Sequence, residues 1–156
     1  MSRAGALMAG LLSISAACEA SHGIVRHAQL RELPDLACVR RVVAAMPSVT
    51  NVEESHSKRP SGASTGFVAE HHTYFFDVED HRAQMTISVP SLGRVDYRQH
   101  MVRVNRRYPN EVLRAARQTM IAIERALESR CGVENLSEVV VERCLGFECP
   151  APPDTR

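Results

Sequence analysis

The sequence predicts a two-layer α+β domain, an antiparallel sheet of about four to five strands with two helices on one face, and three observations carry this. Residues 82–89 alternate strictly, with Ala83, Met85, Ile87 and Val89 on one side and Arg82, Gln84, Thr86 and Ser88 on the other. Leu113, Ala116, Met120, Ile123 and Leu127 recur at helical spacing, as do Leu36, Val39, Val43 and Met46. Elements that each bury one face must cover one another, so two amphipathic helices on an antiparallel sheet is the economical arrangement.

Taken in order, residues 1–17 form an export segment, 18–30 a tether without sustained period, 31–149 one α+β domain and 150–156 a polar tail. The first helix runs from Pro34 to Met46, with Pro34 and Asp35 suited to its first turn and Pro47 ending it. Val49 to Glu54 reads as a short strand. Ser55 to Gly66 (SHSKRPSGASTG) reads as an exposed loop, because Pro, Gly and Ser crowd it. Strands follow over Phe67–Val78, Arg82–Val89 and Arg94–Val104. The Pro90–Arg94 connection sets Val89 opposite Val95 and Ile87 opposite Tyr97, while the shift of apolar positions to Val102 and Val104 predicts a bulge or strand end near Gln99–Met101. Pro109 opens the longer helix and Gly132 caps it. Glu138 to Cys144 reads as the last strand.

The domain left after residue 17, about 140 residues, is large enough for its own core. A net charge of +1, with Arg mixed among Glu and Asp and Lys58 the only lysine, provides no basic stripe, which argues against nucleic-acid binding. Trp is absent and Tyr and Phe number 3 and 4, too few for an aromatic carbohydrate platform.

The start of the chain locates it. Arg3 precedes the apolar run Ala4 to Ala17, which is too short to span a bilayer. The run closes as Ile14-Ser15-Ala16-Ala17-Cys18, which resembles the lipobox of bacterial lipoproteins, with Ser15 where an aliphatic residue is usual. The resemblance implies cleavage before Cys18, lipid on its thiol, and membrane tethering in the cell envelope, at the outer membrane facing the periplasm. Small residues around Ala17 and Ala20 also suit an ordinary signal peptidase, which would release a soluble periplasmic or secreted product. The body is similar in layout to small exported proteins of Gram-negative bacteria.

Four cysteines then remain for an oxidising compartment, and they allow three connectivities. Cys144 and Cys149 enclose only Leu-Gly-Phe-Glu, while Cys38 and Cys131 lie on helices covering one sheet face. This favours Cys38–Cys131 and Cys144–Cys149 as structural disulfides over redox thiols or a zinc site.

Catalytic motifs are missing: there is no nucleophile elbow, no phosphate loop and no C-x-x-C. Adjacent His71 and His72 point to opposite faces of a strand, His72 inward with Tyr74 and Phe76, so they do not share an ion. The metal candidates are His71 with Asp77 or His81; His100 goes to the polar face with Asp96 and Arg98. No cofactor and no catalytic residue is assigned. The expectation is a non-enzymatic envelope module that binds another envelope protein or a cell-wall component through the 55–66 loop and the polar sheet face. The alternative is a small periplasmic hydrolase or metal-binding protein using His71, His81 and nearby carboxylates.

Overall fold

The computed structural model describes residues 20–60, 68–90 and 93–149. They form an α+β domain with one antiparallel sheet of six strands and three helices, two of them longer than a turn or so. In chain order these are β1 (Ser21–Leu30), α1 (Leu36–Ala44), β2 (Thr50–Pro60), β3 (Val68–Val78), β4 (His81–Pro90), β5 (Val95–Val104), α2 (Asn110–Cys131), the short α3 (Leu136–Val139) and β6 (Val141–Leu145). The strands lie in the order β2-β3-β4-β5-β1-β6. Residues 1–19, 61–67, 91–92 and 150–156 fall outside this description, and with them the export segment, Cys18, most of the glycine-rich part of the expected loop and the tail.

Both long helices cover one face. The hydroxyl of Tyr74 on β3 donates to the carbonyl of Leu36 on α1 (3.3 Å), and Gln99 Nε2 on β5 donates to Met120 O on α2 (3.0 Å). Between the layers Ile24, Tyr74, Phe76, Met85, Ile87, Tyr97 and Met101 meet Val39, Val43, Leu113, Met120, Ile123 and Leu127, all buried. Asp35 caps α1 by accepting from Ala37 N (2.9 Å), and Gly132 ends α2 in the left-handed conformation at φ 66°. Ile87 does pair with Tyr97.

Four expectations need correction. The sheet has six strands rather than four or five, because residues 21–30, read as a tether, form β1 in the interior of the sheet between β5 and β6. Their inward set is His22, Ile24, Arg26, Ala28 and Leu30, and the two polar members hid the alternation. Ser55–Pro60, read as loop, continues β2 to Pro60; as an edge strand with almost no buried face it carries charge and proline instead of apolar residues. No bulge interrupts the β1–β5 ladder: Gln99 is a buried inward residue, and Val102 and Val104 simply face outward. Glu138 and Val139 belong to α3, and the last strand begins at Val141.

Gly23 lies where β1 crosses β5 with φ 150°, and a Cβ there would sit 2.0 Å from the carbonyl oxygen of Met101. Gly23→Ala is therefore expected to cost about 1–3 kcal/mol of backbone strain, read as a lower denaturant midpoint. An unchanged midpoint would place Gly23 away from the β5 backbone.

Candidate functional site

Two disulfides pair Cys38 with Cys131 (Cα–Cα 5.7 Å) and Cys144 with Cys149 (5.4 Å). Their sulfurs are spent on each other. The proximity of Glu142 to Cys144 and Cys149 is thus no thiolate metal site.

The sequence-derived metal candidates do not converge. His71 Nδ1 lies 2.7 Å from Ser88 Oγ; six residues along β3, roughly 20 Å away, Asp77 accepts from Asn51 Nδ2 at 2.8 Å and pairs with Arg82. His81 is paired with Val78 on the helix side, bonds the Glu79 carbonyl and stands edge-on to Tyr108.

A different histidine pair does assemble. Once β2 reaches Pro60, His56 stands directly across from His72 on the helix side of the sheet, beyond the cover of α1, and their rings stack 4.6 Å apart. Glu70, two residues before His72, projects the same way. Its Oε2 is 3.6 Å from His56 Nε2 and 3.9 Å from His72 Nε2, while its Oε1 is 2.6 Å from Lys58 Nζ. The Lys58 hydrogen bond and charge hold the Glu70 carboxyl below its ordinary range, keeping it anionic. Burial and the neighbouring His56 push His72 down, so its imidazole favours the neutral form. Sequence reasoning placed His72 inward correctly but left its partner on a loop.

Among the described residues the other face of the sheet carries no helix. Val25, His27, His71, Thr86, Arg98, His100 and Arg143 line a shallow groove of about 660 Å³ across β3, β4, β5, β1 and β6. Arg98 stands opposite His27, and Arg143 and His100 flank Val25 from the two sides. Among the described residues neither arginine is in an ion pair, and Asp96 is the only acid lining the groove. Desolvation and then Arg98 lower the His100 pKa, and its Nδ1 is buried without a hydrogen-bond partner. As expected, His100, Asp96 and Arg98 share this face.

The densest polar cluster was not anticipated. Arg26 forms a fork onto Glu124 of α2, Nε to Oε1 and Nη2 to Oε2 at 2.8 Å each, and its Nη1 bonds Glu142 of β6. Arg117 Nε reaches the same Glu142 at 2.8 and 3.0 Å, and Gln99 Nε2 donates to Glu124 at 3.1 Å. The four charges match two against two and the cluster is largely buried, Glu124 completely. Such an arrangement fixes α2 on β1, β5 and β6. The chain matches no protein-family model, no curated protein and no solved structure.

Proposed function

We propose that the protein is a small cell-envelope lipoprotein that acts as a non-enzymatic binding module, taking an acidic segment of another envelope protein in the groove of its open sheet face. The observation that carries this reading is the one-sided sheet: among the described residues helices cover its six strands on one face only, and the other offers Arg98, Arg143 and three histidines against one acid. Unpaired surface arginines favour anionic partners. Aromatic stacking surface is scarce there, which favours a protein segment over a glycan. The mutual pairing of the buried Arg26 and Glu124 and the dispersal of His71, Asp77 and His81 speak against the hydrolase alternative. With β1 starting at Ser21, a lipid on Cys18 would hold the sheet within about 10 Å of the bilayer.

Two measurements test the reading. Labelled palmitate should enter the wild type and not Cys18→Ser; label missing from both would make the protein a soluble one. A photocross-linker replacing Thr86 should yield a discrete adduct in cells that Arg98→Glu with Arg143→Glu abolishes while circular dichroism stays native. An adduct indifferent to this charge reversal, or none at all, would refute the groove as the contact surface.

A further inference from the structure

We propose that His56, Glu70 and His72 form a binding site for a borderline divalent transition-metal ion, zinc in the first instance, at the β2–β3 edge. The argument begins with register. His56 and His72 are directly paired on adjacent strands, so their imidazoles leave the sheet side by side, and Glu70 enters from the neighbouring position on the same face. One ligand atom from each lies within 4.8 Å of the other two, with the carboxylate oxygen 3.6 and 3.9 Å from the two Nε2 atoms. A tetrahedral zinc with bonds of about 2.0–2.1 Å needs donors about 3.3 Å apart, so the two carboxylate–imidazole gaps have only to close slightly, while the two imidazole nitrogens, within 4.8 Å of each other, have to turn toward a common point.

That contraction is available. His56 is about half exposed (48%), and its ring can turn out of the stack so that its lone pair meets that of the more buried His72 (13%). Lys58 holds the second oxygen of Glu70 and leaves Oε2 for the ion, an outer partner of the kind that orients metal-binding carboxylates. Two imidazoles and one carboxylate suit zinc, copper or nickel better than magnesium or calcium, whose sites are built from oxygen. Three protein ligands leave a fourth position open for water or for a side chain of an incoming molecule.

The test uses the full chain without an affinity tag and with Cys18→Ser, which removes the one cysteine outside the two disulfides. Zinc chloride is titrated against a chromophoric chelator. One zinc per chain is expected, with affinity reduced at least about tenfold, the range commanded even by outer partners of a metal ligand, in His56→Ala, His72→Ala and Glu70→Gln. His71→Ala, whose ring faces the opposite side, should leave it unchanged. Because His56 and Glu70 are on the surface, folding of these variants is checked by circular dichroism. Nitrogen NMR of the wild type should show zinc moving the Nε2 resonances of His56 and His72 together. No stoichiometric zinc in the folded wild type, or binding that survives His56→Ala and His72→Ala, would overturn the proposal.

Discussion

Replacing Glu124 with alanine is expected to cost about 3–5 kcal/mol, the usual range when one partner of a buried ion pair is removed. Glu124 is fully buried, and its two oxygens receive both arms of the Arg26 fork and the amide of Gln99. Without it, a guanidinium that is about 10% exposed keeps only Glu142, which Arg117 already shares. Desolvation is the larger force on Arg26 and acts to discharge it, but Glu124 and Glu142 together outweigh it, leaving the arginine more firmly protonated than usual. Removing Glu124 thus leaves the desolvation in place and takes away most of its compensation. The double variant Arg26→Met with Glu124→Leu should recover much of the loss, because apolar groups of similar volume need no partner, while Glu142 retains Arg117. Chemical denaturation monitored by circular dichroism measures both. A loss under about 1 kcal/mol for Glu124→Ala, the range of exposed pairs, would mean that Arg26 swings into solvent and that the cluster does not hold α2 to the sheet.

The same cluster marks where sequence reading fails and why. Residues with a covered apolar face announced themselves: the alternation in β4, the stripe of α2 and even the Ile87–Tyr97 register follow from local periodicity. Strand β1 did not, because Arg26 and His22 occupy inward positions. Each becomes acceptable there only through a distant partner, Glu124 being 98 residues away and Tyr108, whose N–H donates to His22 Nδ1, 86. No local pattern encodes such a partner. The outer half of β2 was hidden for the opposite reason: an edge strand reaching past α1 buries little, so its polar composition is that of a loop. The metal candidate went with it, since His56 meets His72 only when β2 is extended and in register. The disulfide pairs were legible because one encloses only four residues and the other joins two helices that had to cover one face.

Removing the Cys38–Cys131 bridge is expected to destabilise the domain by about 4–5 kcal/mol, whereas removing Cys144–Cys149 should cost about 2. The difference follows from loop length, 93 residues of separation against 5, because a cross-link acts chiefly by restricting the unfolded chain. The long bridge also ties the first turn of α1, at Cys38, to the last turn of α2, at Cys131, next to Val39, Val42 and Val43 in the core. Small domains are stable by only about 5–15 kcal/mol, so roughly a quarter or more of the total would go with this one bond. The comparison is best made with paired alanine variants, Cys38→Ala with Cys131→Ala against Cys144→Ala with Cys149→Ala, each unfolded in guanidinium. Equal losses would show that chain entropy is not the source of the stabilisation and that local packing at each bridge is. The expected order, with the long bridge dominant, makes the fold dependent on an oxidising environment, which is the physical link between the cysteine pairing and the proposed export of the chain.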